Sequence, residues 1–387
     1  MLNFEFKNPT KIFFGRGETA KISTEVPQDA KVLMVYGGGS IKRNGVYDQV
    51  KEALKNHDLY EFGGVPANPE FDVLVNALRL IKEKNITYLL AVGGGSVIDG
   101  VKFLSAAAYY DGDPWEILKK PVRIFEGEGM PFGTVLTLPA TGSEMNSSYV
   151  ISRREINEKR SAGGPGMFPQ FSVLDPEVVR SIPKNQIANG IADAYTHVLE
   201  QYMTAPSPAD LQEWIAESIL ISLQETAPKV MAEEFDYGAA ANFMWCCTMA
   251  LNGLIQKGVM TDWAVHAMGH ELTAYYGIDH ARTLAIIAPS HYRYNFELKK
   301  EKLAQYAIRV WNITDGSTEE KAEVAIKKME DFFESIHIKT KLSDYITDYQ
   351  GTAERIEKAF TERKLFGIGE YKKLTPQDVY KIVKMSY

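Results

Sequence analysis

Lys31-Val32-Leu33-Met34-Val35-Tyr36 runs directly into Gly37-Gly38-Gly39-Ser40, and Tyr88-Leu89-Leu90-Ala91-Val92 runs in the same way into Gly93-Gly94-Gly95-Ser96. Each is a short apolar run, rich in branched residues and closed by glycines. In an open α/β sheet a buried strand ending in a glycine turn is where a ligand is usually held. Outward from these two runs, up to about residue 182, similar apolar segments alternate with amphipathic ones. That is the pattern of strand and crossover helix in a parallel sheet. After Pro183 the strand pattern fades into long amphipathic stretches, and the second half reads as mostly helix. Ser317-Thr318-Glu319-Glu320 has the spacing of a helix capping box, and Ala325, Ile326, Met329, Phe332, Phe333 and Ile336 follow at helical intervals as a core stripe. The pattern change therefore predicts two domains, residues 1–182 and 183–387, a division that the length of 387 residues also favours.

Composition narrows the function. A net charge of -7 argues against a nucleic-acid backbone as partner, which would call for clustered Lys and Arg, and favours a small molecule. The first residues, MLNFEFKNPTKIFFGRG, lack the basic segment, apolar core and cleavage site of a signal peptide, and there is no apolar run of about 18 residues that would span a bilayer. The expectation is a cytoplasmic protein. Cys246 and Cys247, the only cysteines, are adjacent, which excludes a disulfide framework and leaves them a core role.

Five of the seven histidines lie between residues 197 and 291. Asp193 and His197 are four residues apart, one helical turn on the same face, and His266 and His270 repeat that spacing. His280 follows across the break Tyr276-Gly277-Ile278-Asp279, which could return it toward the same point. Several imidazoles with one carboxylate suit Zn²⁺ or Fe²⁺ better than Ca²⁺ or Mg²⁺. His270-Glu271 does not open a zinc-protease HExxH helix, because position 274 is alanine. His57 and His337 read as surface residues. His291 has no helical partner and carries no functional reading.

Consecutive glycines let a backbone approach a ligand closely, and a helix starting there turns N–H groups toward an anion. Gly93-Gly94-Gly95-Ser96 followed by Val97-Ile98-Asp99 fits a diphosphate cradle, although Ile98 stands where GxGxxG needs its third glycine. The first turn offers Gly38, Gly39 and Ser40 followed by Lys42 and Arg43, with no carboxylate to meet an adenosine ribose, which favours NADP(H). Thr137-Leu138-Pro139-Ala140-Thr141-Gly142-Ser143-Glu144 supplies hydroxyls for a nicotinamide or phosphate site.

Together GGGSVIDGVK, TLPATGSE, NGIADAYTHVLE and HAMGHELTAYYGIDH resemble, in order and over nearly the whole chain, the signatures of the iron-dependent (group III) alcohol dehydrogenases. The likeness is closest to the NADPH-dependent broad-range aldehyde reductases and butanol dehydrogenases. The resemblance implies an α/β fold of the dehydroquinate synthase-like kind: an N-terminal Rossmann-like dinucleotide-binding domain over 1–182 and a C-terminal all-helical, metal-binding and substrate domain over 183–387. On matching positions it implies Asp193, His197, His266 and His280 as ligands of one divalent metal, Fe²⁺ or Zn²⁺. His270 then becomes a non-ligand histidine near the nicotinamide, with a catalytic role in proton transfer. Gly37, Gly38, Gly39, Ser40, Gly94, Gly95, Ser96, Asp99, Thr137, Thr141 and Lys159 are the implied cofactor contacts. The implied function is hydride transfer between NADP(H) and a primary alcohol/aldehyde pair, in a homodimer. A lyase similar to dehydroquinate synthase and a non-catalytic NADPH sensor are the rival readings.

Overall fold

The structure, a computed structural model, describes residues 1–119 and 127–387. Eight strands occur among them: β1 (Lys11–Phe14), β2 (Lys31–Tyr36), β3 (Asp58–Phe62), β4 (Tyr88–Gly94), β5 (Phe132–Leu138), β6 (Ser148–Arg153), β7 (Glu158–Gly163) and β8 (Phe171–Leu174). Six of them form one sheet in the order β1-β8-β5-β4-β2-β3, and every pairing in it is parallel. Strands β6 and β7 form a separate antiparallel hairpin.

The sequence explains why β2 and β4 lie side by side in the middle of this sheet. Five of the six residues of β2 and six of the seven of β4 are buried, so both faces of each strand are covered, and a continuous apolar run is what that position requires. The crossover helix Phe71–Lys84 between β3 and β4 buries Phe71, Leu74, Ala77, Leu78 and Ile81, a stripe at helical spacing, and ends on Asn85 in the left-handed conformation.

By its contacts the chain divides into two compact units. One comprises Lys7–Pro183 with Phe235–Thr248, and holds all eight strands. The other comprises Met1–Phe6, Lys184–Glu234 and Met249–Tyr387. A single cut after residue 182 therefore misses two segments, Met1–Phe6 and most of the helix Tyr237–Ala250, whose neighbours belong to the opposite unit. No long-range sequence signal marks either exchange.

The second unit is built from helices. Its central member, Lys184–Tyr202, is buried without interruption from Ile187 to Tyr202, and so carries Asp193 and His197 in an interior that ordinarily excludes charge. The helices Ala264–Tyr276 and His280–Tyr294 are joined by a tight reversal at Gly277, where φ is +68°. Gly269 allows them to pack closely, since a Cβ there would lie 2.8 Å from Thr283 Oγ1.

Candidate metal centre and cofactor cradle

The reversal at Gly277 brings His280 back to His266, and the central helix presents Asp193 to both. One ligand atom from each of Asp193, His266 and His280 lies within 4.8 Å of the other two. His280 Nε2 is 3.8 Å from Asp193 Oδ1, and His197 Nδ1 is 3.9 Å from the same oxygen. The His197 ring stacks on His266 with centroids 4.7 Å apart. His270, one turn beyond His266, is half-buried with its ring 5.1 Å from that of His280 and 6.4 Å from that of His266.

The electrostatics fit a metal. Burial pushes the His197 imidazole down to about 4, against the pull of Asp193, so the ring is neutral at ordinary pH, which is the ligating form. His197 Nδ1 is buried and makes no hydrogen bond. A carboxylate and imidazoles converging where most of them are buried are costly unless something balances them. A divalent cation would do so, and the donor set of nitrogen with one oxygen is right for Fe²⁺ or Zn²⁺.

In the other unit, β4 ends at Gly94 and the helix Gly95–Ala107 begins at once. The glycine there is obligatory: a Cβ on Gly95 would sit 2.4 Å from Thr141 Oγ1. This brings the Thr137–Thr141 segment against the start of the helix, and Thr141 Oγ1 accepts the Ser143 N–H at 3.2 Å. Ser96 Oγ accepts the Asn68 N–H at 3.2 Å, and Lys159 Nζ donates to Asn68 Oδ1 at 2.9 Å, so Ser96 and Lys159 meet the same loop residue. At the first turn, the Gly38 and Gly39 positions open on empty space, Ser40 is exposed, and Lys42 Nζ lies over the rings of Tyr36 and Tyr47 at 5.1 and 4.8 Å. Gly37 is closer, with a Cβ position 3.3 Å from Val65 O. An open, glycine-lined backbone beside a helix N-terminus fits a dinucleotide.

Asp99 is placed differently from the other cradle residues. It is partly buried, and its two oxygens accept the Ser143 hydroxyl at 2.6 Å and the Val150 N–H at 2.9 Å. Lys102, one turn on and fully buried, donates to Ser143 Oγ at 2.8 Å, Asn146 Oδ1 at 2.9 Å and Ser148 O at 2.9 Å. Asp99 and Lys102 thus tie the helix to the loop that follows Thr141. Sequence reasoning missed Lys102. An isolated lysine three residues after an aspartate reads as a solvated helix face, and only the fold shows it enclosed. It missed Glu200 too, which is wholly buried and accepts the Val265 N–H at 2.8 Å and the His266 N–H at 3.1 Å while meeting His266 Nδ1. Its position three residues after His197 on the same helix was the available signal. His291, without a reading from sequence, is a buried partner of Asp262 at 3.2 Å.

The chain's similarities agree with this geometry. Residues 9–176 match the iron-containing alcohol dehydrogenases, and residues 187–387 match the C-terminal region of the Fe-containing alcohol dehydrogenase family. The chain belongs to the iron-containing alcohol dehydrogenase family. Among curated relatives of the chain is the NADPH-dependent aldehyde reductase YqhD of Escherichia coli, 47% identical over 97% of both chains. Another is the NADH-dependent butanol dehydrogenase A of Clostridium acetobutylicum, 40% identical over 100% of both. Among solved structures, E. coli YqhD superposes with a TM-score of 0.97 at 45% identity, covering 100% of this chain and 99% of that one. The butanol dehydrogenase A of Thermotoga maritima superposes at 0.94 with 33% identity over the same shares. Family membership shows an alcohol/aldehyde oxidoreductase and does not favour the lyase or the sensor. Among the described residues, no helix is long and apolar enough to cross a membrane.

Proposed function

We propose that this family member is a metal-dependent, NADP(H)-using reductase of small aldehydes, working reversibly on the matching primary alcohols as a butanol dehydrogenase does. The observation that carries the reading is the convergence of Asp193, His266 and His280 within 4.8 Å, with His197 against them, among helices that bury all but His280. These four residues are the proposed ligands, and Fe²⁺ and Zn²⁺ suit them equally. When bound, the metal supplies Lewis-acid polarisation of the carbonyl oxygen and the nicotinamide supplies the hydride.

The chain's own residues do the rest. Burial keeps His197 neutral and available as a donor. His270, half-buried beside His280, is the proposed holder of the proton that the product oxygen takes up, since imidazole exchanges protons near neutral pH. Gly94, Gly95 and Ser96 at the helix start are the proposed diphosphate contacts, with Thr137, Thr141 and Lys159 beyond them and Gly37, Gly38, Gly39 and Ser40 at the adenosine end. Asp99 serves this cradle through Ser143 and Val150.

NADP(H) is proposed over NAD(H) because Lys42 and Arg43 follow the first turn and no carboxylate lies in it. The relatives use both cofactors by name, so the preference rests on these residues of this chain. The test is butyraldehyde reduction with each cofactor. A kcat/KM advantage for NADPH of about tenfold or more, ~1.4 kcal/mol, that falls on Lys42→Ala supports the reading; equal values for both cofactors contradict it. A cytoplasmic homodimer is proposed on the resemblance, and light scattering of the purified protein checks the dimer.

A further inference from the structure

The helix that carries His266 starts in an unusual way. Trp263, immediately before it, has φ +62° and ψ +10°, a left-handed conformation that is uncommon and unfavourable for a bulky residue. Its ring packs edge-on against His266, with centroids 5.3 Å apart. What holds this strained start is a buried ionic cluster. Asp262 donates its N–H to Glu200 O at 2.9 Å and accepts the Ala264 N–H on Oδ1 at 3.1 Å. Its other oxygen meets Lys299 Nζ at 2.8 Å and His291 Nε2 at 3.2 Å. Lys299 also reaches Glu370 at 2.6 Å and donates to Met203 O at 2.6 Å. All four side chains are almost wholly buried.

Glu200 stands at the inner end of this cluster, with no side-chain exposure. It accepts two backbone N–H groups of the first helical turn and meets His266 Nδ1. Capping two amides would need only a Ser, Thr or Asn, and burying a carboxylate is expensive. The third contact explains the choice. Burial and Asp262 push the Glu200 carboxyl up, to about 8, and the close contact with Nδ1 opposes that: an ionised Glu200 against Nδ1 keeps the proton on that nitrogen and leaves the lone pair on Nε2, as acidic partners do for ligating histidines in general.

We propose that Glu200 is the positioning residue of His266: it fixes the ring as the Nδ1–H tautomer with Nε2 as the metal-binding nitrogen, and the Asp262–His291–Lys299–Glu370 cluster anchors the helix start from which it acts. The proposal rests on the metal reading given above. Two measurements test it. In metal-free wild-type protein labelled with ¹⁵N-histidine, long-range ¹H–¹⁵N correlations, assigned by the peaks lost in His266→Gln, should show His266 as the Nδ1–H tautomer. The Nε2–H tautomer would overturn the proposal. In Glu200→Gln, where a carboxamide can offer N–H to Nδ1, Zn²⁺ affinity by chelator competition should fall about 10- to 100-fold with NADPH affinity unchanged. Unchanged Zn²⁺ affinity in a folded variant would reduce Glu200 to a helix cap and also overturn it. Should Glu200→Gln not fold, the wild-type tautomer still decides. A wild-type chain that takes up no Zn²⁺ would fail the metal reading instead, a result that the metal-free tautomer measurement keeps separate.

Discussion

His270 lies one turn beyond His266 with its ring 6.4 Å from that of His266, outside the group formed by Asp193, His266 and His280. His270→Ala should therefore leave the bound metal in place while lowering kcat and flattening its pH profile, by about 10²- to 10⁴-fold at the optimum if it moves the proton. Metal analysis and a pH–rate series on the variant check both halves. At Asp262 the relevant balance is ionic: burial pushes its carboxyl up, but His291 and Lys299 outweigh this and hold it well below the usual carboxylate value. A depressed carboxylate contributes stability above its unfolded pKa and loses it as pH falls through the folded value. Asp262→Asn should cost about 3–5 kcal/mol near neutral pH, because Lys299 is left buried and half-paired, and the deficit should shrink in acid. Denaturation of metal-free wild type and variant near neutral pH and below about pH 4 reads the difference. A deficit independent of pH would contradict the ionic origin.

Among the elements, β2 and β4 were legible because a continuous apolar run closed by glycine has few other uses, and the structure places them adjacent and parallel. The capping box was legible too: Ser317 Oγ accepts the Glu320 N–H at 3.2 Å while Glu320 accepts the Ser317 N–H at 2.7 Å, and the stripe from Ala325 to Ile336 is buried. Ser317→Ala should lower stability by about 0.5–2 kcal/mol, measurable as a shift in the denaturation midpoint. Spacing brought the five candidates for the metal cluster onto the page, but only the resemblance removed His270 from the ligands. Two side chains one turn apart share a face whether or not both reach an ion. The partners Glu200, Lys102, Asp262 and Lys299 stayed hidden because a buried charge looks in sequence like an exposed one. The Gly93–Ser96 turn carries a sharper consequence. Gly95→Ala places a methyl 2.4 Å from Thr141 Oγ1, so the loop must shift, costing about 1–3 kcal/mol and weakening NADPH binding, with Zn²⁺ uptake unaffected. Equilibrium binding of each ligand to the variant shows whether the two effects separate.

At the scale of the molecule, the sheet unit carries every proposed cofactor contact and the helical unit carries every proposed metal ligand. This division of labour explains why the two halves of the sequence read so differently: glycine turns after apolar strands in one, histidines at helical spacing in the other. The most direct measurement is NADPH consumption with butyraldehyde by protein stripped of metal and then given Fe²⁺ or Zn²⁺ under anaerobic conditions, with His266→Ala in parallel. The expected result is no turnover without metal, recovery with at least one of the two ions in the wild type, and neither metal uptake nor recovery in the variant. Full turnover by the metal-free wild type, or by metal-free His266→Ala, would contradict the assignment of Asp193, His197, His266 and His280 as a catalytic metal centre.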